Sequence, residues 1–308
     1  MAISSLPQLD RFFLTDAGLE TDILFNKGID LPHFSSVTLL TSDEGFDVLD
    51  AYYRDFLDLA RRMGTGLILE SATWRASPDW AGPLGFSSDE LDALNGAAIE
   101  LLGGLRTEFA DVPVVISGCI GPRGDGYDPG KIMRIEEAQG YHAHQAGVLA
   151  GAGVDMLAAI TMTNVPEAVG VTNAAKALGL PVAISFTVET DGRLPTGDAL
   201  GDAVAAVDAA TGGYPAYYMI NCAHPTHFDA VLDDSAAWTA RIGGVRANAS
   251  CLSHAELDVM TELDIGDPAD LAVRHRALID RFPQIKVVGG CCGTDLRHVT
   301  AIAEACAA

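Results

Sequence analysis

Two adjacent cysteines, Cys291 and Cys292, lie in the run Ile-Lys-Val-Val-Gly-Gly-Cys-Cys-Gly-Thr-Asp over residues 285–295. A β-branched segment precedes them and a helix-like segment follows. The glycines permit a tight turn with close backbone approach, and Thr294 is placed to cap the following helix. Both thiols therefore stand where a strand hands over to a helix, a common position for chemistry in α/β folds. Three readings are open: a vicinal disulfide, two unrelated buried thiols, or metal ligation. A catalytic zinc takes three protein ligands, so the last reading needs a third thiol. Cys222 is the best placed, ending the strand-like run Ala-Tyr-Tyr-Met-Ile-Asn-Cys. Cys119 follows a similar run, Cys251 lies beyond a strand end, and Cys306 lies in the C-terminal helical segment. No CxxC pair exists, which argues against a structural zinc knuckle. His224, two residues after Cys222, is a weaker candidate ligand.

Gly-Gly-Cys-Cys-Gly-Thr at 289–294, Asn221-Cys222 upstream and Asp16-Ala17-Gly18 near the N-terminus together resemble the homocysteine S-methyltransferase family over nearly the whole chain. That family includes betaine–homocysteine and S-methylmethionine–homocysteine methyltransferases and the homocysteine module of cobalamin-dependent methionine synthase. The resemblance implies that Cys222, Cys291 and Cys292 hold Zn2+ and that Asp16 faces the substrate in a catalytic role. It implies transfer of a methyl group from an onium donor (S-methylmethionine, S-adenosylmethionine or betaine) to a small-molecule thiol, with homocysteine giving methionine. It also exposes a departure. Ile160 stands where many members carry a glutamate that contacts the homocysteine amino group. An isoleucine cannot receive an ammonium. Asp16, Glu70, Thr161, Thr163 or Asn164 then takes that role, or the acceptor is another small thiol.

The chemistry suits the ligand set. A free thiol has a pKa of about 8.5, and the thiolate is the nucleophile. Three protein thiolates leave a zinc unit with net charge −1, a poor Lewis acid for hydrolysis that still leaves a fourth sulfur nucleophilic. A barrel lyase or hydrolase using zinc-bound water would instead be expected to use His and carboxylate ligands. A purely structural zinc would be closed by four protein ligands.

These groups need a frame. Strand-like runs at 12–16, 66–71, 112–118, 154–161, 181–187, 216–221, 242–248 and 285–290 alternate with helical patterns at 44–63, 88–109, 134–152, 165–179, 198–211, 226–240, 268–282 and 295–306. Near-continuous apolar runs indicate parallel strands buried on both faces. Eight β/α repeats predict an α/β fold, a single (β/α)8 TIM barrel over 1–308; an open doubly wound sheet is the alternative. Active sites in such barrels form at the C-terminal strand ends. There the second strand would deliver Glu70, Trp74 and Arg75 to the substrate, the arginine for a carboxylate and the tryptophan for a cation. The fourth would deliver Thr161 and Thr163, the sixth Asn221, and the seventh Arg246 and Asn248 as carboxylate donors. Glu20 and Asp22 read equally as a turn and helix cap. The glycine-rich stretch 118–126 is not a dinucleotide fingerprint, because it opens no helix. His142 and His144 read as surface or satisfied core groups. A polar stretch at 187–198 has the character of a loop over the barrel mouth.

The chain has 308 residues, 49% of them hydrophobic, and a formal charge of −23. That charge disfavours nucleic acid and anionic membrane surfaces as partners. No apolar stretch is long enough to span a bilayer, and the N-terminus lacks the basic and apolar regions of a secretion signal. Six cysteines without such a signal suggest reduced thiols and a cytoplasmic location.

Overall fold

The structure, a computed structural model, describes residues 6–307. Residues 1–5 of the N-terminal stretch read as free of a secretion signal lie outside them.

Eight parallel strands close in chain order, β1 to β8. They are Phe13–Leu14, Gly66–Glu70, Val114–Ile120, Met156–Met162, Val182–Phe186, Tyr217–Asn221, Ile242–Ala247 and Val287–Gly290. β1 pairs with both β2 and β8, so the TIM-barrel expectation holds and the open sheet is excluded. β2, β4, β5, β6 and β8 are buried at every position, the physical reason these segments are apolar on both faces. Phe13, Ile68, Val115, Met156, Tyr217, Met219 and Val287 pack within an inner cluster. A second, larger core packs the strands against the helices. Each fully buried side chain of this size contributes about 1.5–3 kcal/mol.

Seven long helices flank the barrel: Asp43–Met63, Ser88–Glu108, Ile135–Ala152, Val165–Leu178, Leu200–Thr211, Pro268–Arg281 and Leu296–Cys306. Five of these starts follow side-chain caps, from Ser42, Ser87, Asn164, Asp267 and Asp295, each contributing about 1 kcal/mol. Ser87 and Glu90 form a capping box, and Asn164 accepts the Glu167 N–H. Two expectations are corrected. The helix at 226–240 is reduced to Pro225–Phe228 and two single turns, Asp229–Val231 and Thr239–Arg241. Between them the Asp233 carboxylate accepts the Ser235 N–H at 2.8 Å, a local bond that competes with helix continuation. The last helix is capped by Asp295, because Thr294 Oγ1 donates instead to the Cys291 carbonyl at 2.6 Å.

The strand ends are fixed in register around the rim. Asn221 on β6 lies beside Arg246 on β7, which lies beside Gly289 on β8. A Cβ at Gly289 would meet Thr15 Oγ1 at 1.9 Å, and one at Gly290 would meet Thr294 Oγ1 at 1.9 Å. Gly289 therefore lets the chain carrying the two cysteines close against the end of β1, and Gly290 lets it turn back on Thr294. No described helix is long and apolar enough to cross a membrane.

Candidate metal and substrate site

Cys222 follows β6, and Cys291 and Cys292 follow β8. Their sulfurs all lie within 4.8 Å of one another, the metal-capable cluster among the described residues. Cys222 and Cys291 are joined as a disulfide, and Cys292 is free, with its sulfur 3.8 Å from that of Cys222. The vicinal reading is thus overturned: the bond links two strands. Cys119 belongs to the barrel interior and is not part of the trio. His224 is not a ligand either. Its Nδ1 bonds Thr226 Oγ1 at 2.8 Å, and burial lowers its pKa to about 4.

The backbone at this rim is held in uncommon conformations. Cys222 has φ +50° and Thr161 has φ +65°, values that cost about 1–3 kcal/mol outside glycine. Asn221 holds Thr161 in place. Its Oδ1 accepts the Thr161 N–H at 3.0 Å, and its Nδ2 donates to Thr161 Oγ1 at 2.8 Å. The same Nδ2 lies 3.7 Å from Cys291 Sγ. The side chain that orients one cysteine therefore also stabilises the bend at the end of β4.

A cavity of about 460 Å3 opens beside the sulfurs. Asp16, Glu70, Trp74, Arg75, Thr161, Arg246, Cys222, Cys291 and Cys292, all sequence candidates, line it. Thr163, Asn221 and Asn248 do not. Thr163 Oγ1 accepts from Asn164 at 3.1 Å, and Asn248 is buried. The inner end is a charge cluster. Arg246 Nη2 donates to Asp16 Oδ1 and its Nη1 lies 3.9 Å from Glu70 Oε1. Tyr52 donates to Asp16 Oδ2 at 3.3 Å. Burial raises the Asp16 pKa, against the pull of Arg246. Burial also raises Glu70, to about 7. Burial works against the Arg246 charge too, but Asp16 and Glu70 outweigh it and keep the guanidinium protonated. Asp16 is therefore already neutralised, and Arg246 holds a protein carboxylate in place of the substrate carboxylate expected from sequence.

Arg75 is similarly occupied. It donates to the His33 carbonyl at 2.7 Å and to Asp125 at 2.9 Å, and its guanidinium lies over the Trp74 and Trp80 rings. Trp74 Nε1 donates to the Ile160 carbonyl at 3.1 Å, so its ring forms a fixed wall. Glu20 accepts from Ser36 Oγ at 2.7 Å, Asp22 from Asn26 at 2.8 Å. His142 is a core group with its Nε2 2.9 Å from Glu167 and its Nδ1 without a partner among the described residues, and His144 pairs with Asp92 near the surface.

Sequence reasoning missed Tyr127 and His254. Tyr127 Oη donates toward Cys292 Sγ at 3.6 Å, and its ring stacks on His254 at 3.9 Å. His254 Nε2 donates to the Cys222 carbonyl at 2.6 Å, and its Nδ1 lies 3.2 Å from Glu189. The only signal for Tyr127 was its place just after the glycine-rich stretch. The stretch 187–198 does not line the cavity; Leu257, Asp258, Met260, Glu262 and Leu263, after β7, do.

The sequence model of the homocysteine S-methyltransferase family matches residues 13–306. The chain belongs to the homocysteine S-methyltransferase family. It is a methyltransferase, and the residues matched include all three clustered cysteines. Homocysteine S-methyltransferase 4 of Zea mays is 26% identical over 263 residues, covering 77% of this chain and 75% of the maize protein. The metallated form of the homocysteine methyltransferase MmuM from Escherichia coli is similar in fold, with a TM-score of 0.74 and 21% identity over 96% of each chain. Its oxidized form gives 0.74 and 22% over 94% of each chain.

Proposed function

We propose that this protein is a zinc-dependent S-methyltransferase that moves a methyl group from an onium donor to a thiol, with homocysteine as acceptor and methionine as product. S-methylmethionine, S-adenosylmethionine and betaine are the candidate donors. The observation that carries the reading is the convergence of three cysteine sulfurs within 4.8 Å at the wall of the cavity.

The residues fit the metal. Three thiolates match a catalytic zinc site that keeps one position for an exchangeable ligand, and nearby histidines are committed elsewhere. Burial pushes the Cys292 thiol up to about 11, so that sulfur needs a cation to persist as thiolate. Cys222, Cys291 and Cys292 would hold the ion, which when bound makes an acceptor thiol ionise near neutral pH. Tyr127 directs its hydroxyl at Cys292 and disperses negative charge there. Asn221 orients the Cys291 side.

The acceptor sulfur attacks the donor's methyl carbon. One S–CH3 bond forms as the donor's S–CH3 or N–CH3 bond breaks, and the electron pair leaves with the donor heteroatom. The chain contributes position and field. Leu24, Phe25, Phe34 and Met260 give the cavity apolar sides that exclude water, while Glu20, Asp125, Asp258 and Glu262 supply negative charge suited to a cationic donor.

The disulfide state cannot offer three thiolates, so the active protein is the reduced one, in keeping with a reducing cytoplasm. The test is metal analysis and a thiol-methylation panel, read by mass spectrometry, on reduced and oxidised protein. Reduced protein should hold about one zinc per chain and methylate homocysteine with at least one donor. Oxidised protein should lose both properties and recover them with reductant and zinc. Turnover without metal would overturn the proposal.

A further inference from the structure

An amino-acid thiol brings an ammonium group into the cavity together with its sulfur. Three carboxylates line the cavity's inner part, and two are engaged. Asp16 receives Arg246 on one oxygen and Tyr52 on the other. Glu20 accepts from Ser36. Glu70, at the C-terminal end of β2, is only 5% exposed. The Ser117 hydroxyl, across from it on β3, favours its charged form, but Oε2 makes no hydrogen bond of good geometry among the described residues. A buried carboxyl oxygen without a partner is costly and calls for a ligand.

The charges point the same way. Asp16 and Arg246 cancel as a pair, so an ionised Glu70 is the uncompensated charge of this cluster. Arg246 Nη1 lies on the Oε1 side at 3.9 Å and leaves Oε2 open. The neighbouring walls offer no anion: Ile160 closes β4 and Cys119 lies on β3, packed with Trp74 in the apolar inner cluster. A cation entering here meets in Glu70 a fully buried carboxylate oxygen without a hydrogen-bond partner, whereas Glu20 is partly exposed and holds Ser36.

We infer that Glu70 anchors the acceptor's ammonium group, and that this chain consequently selects amino-acid thiols over thiols lacking an amine. The inference rests on the thiol-methylation reading and adds to it the residue that sets acceptor specificity. Arg246 acts as a positioning residue that turns the free oxygen of Glu70 toward the substrate.

The test compares homocysteine with 4-mercaptobutanoate, the same thiol without its amine, in wild type and Glu70→Gln. Wild type should favour homocysteine. The variant should lose about 10- to 100-fold in kcat/KM on homocysteine, mostly through KM, with little change on 4-mercaptobutanoate and unchanged zinc content. Equal losses on both thiols, or a preference that survives in the variant, would overturn the assignment. Calorimetric binding of methionine against 4-(methylthio)butanoate to wild-type protein gives a readout independent of turnover. Tighter binding of methionine supports the anchor, and equal affinity or no binding of methionine overturns it. If no thiol is methylated, the transferase reading fails, while the same binding pair compared between wild type and Glu70→Gln still decides the role of Glu70. If Glu70→Gln does not fold, Glu70→Asp carries the same comparison: its shorter carboxylate should weaken methionine binding and leave 4-(methylthio)butanoate unchanged, and an unchanged preference overturns the assignment.

Discussion

The two walls of the cavity are built on different principles. At the β6 and β8 rim, three sulfurs are brought together by short segments whose every neighbour helps: Asn221 and Tyr127 approach the thiols, while His254 holds the Cys222 carbonyl. At the β1, β2 and β7 floor, a buried cation sits between two carboxylates that burial would prefer to neutralise. The rim is a set of three sulfurs close enough to hold an ion, as the proposed function requires. The floor is compensated from within except at one oxygen of Glu70. Metal chemistry and acceptor choice can therefore be altered separately, the first by rim residues and the second by floor residues.

The sharpest break between them is expected from Cys291→Ala. It should abolish turnover and reduce zinc content to near zero in reduced protein, whereas Cys119→Ala, on the inner wall, should keep its zinc. Full metal content in Cys291→Ala would sink the ligand assignment. Arg246→Ala comes next. It leaves two buried carboxylates without their cation, a change that costs about 3–5 kcal/mol of stability in comparable buried pairs. Denaturant melts should show the loss to be larger at pH 8 than at pH 5, because acid can neutralise the stranded carboxylates.

Glu70→Gln should be smaller and of opposite sign at high pH. In the folded protein Glu70 keeps its proton up to about pH 7, against an ordinary value of 4.5. A raised folded-state pKa means stability that is fully present below 4.5 and lost as pH rises through about 7. The glutamine variant escapes that loss, so its stability relative to wild type should rise by up to about 3 kcal/mol between pH 4.5 and pH 8. A pH-independent difference in melting temperature would show that Glu70 ionises freely in the fold. The smallest effect is expected for Tyr127→Phe, which removes one hydroxyl from the edge of the rim. Competition with a chelator should show zinc affinity weakened by about 10-fold, with acceptor preference intact.

The rim was legible because its residues carry their own local signals. A β-branched run followed by Gly-Gly-Cys-Cys-Gly, and a second run ending in Asn-Cys, mark strand ends by composition alone. The repeat of such runs fixed the barrel, with only the 226–240 helix lost to the Asp233 turn. The floor left no such signal. Arg246 and Asp16 are separated by 230 residues, and each alone reads as a substrate contact. Tyr127 carries no motif and becomes significant only because its hydroxyl reaches Cys292, 165 positions away.

By itself the sequence determined the period of the strands, the apolar faces that close the barrel, and the three thiols at strand ends. These are local properties, set by side-chain type and spacing along one strand and helix after another. Only the tertiary structure decided which charges are free. Whether a buried arginine meets a substrate carboxylate or a protein one depends on what lies across the barrel, and so does whether a glutamate is paired or open. Closure of β1 against β8 brings Asp16 to Arg246 and leaves Glu70 with an unclaimed oxygen, because electrostatic pairing follows distance in space and not position in the chain.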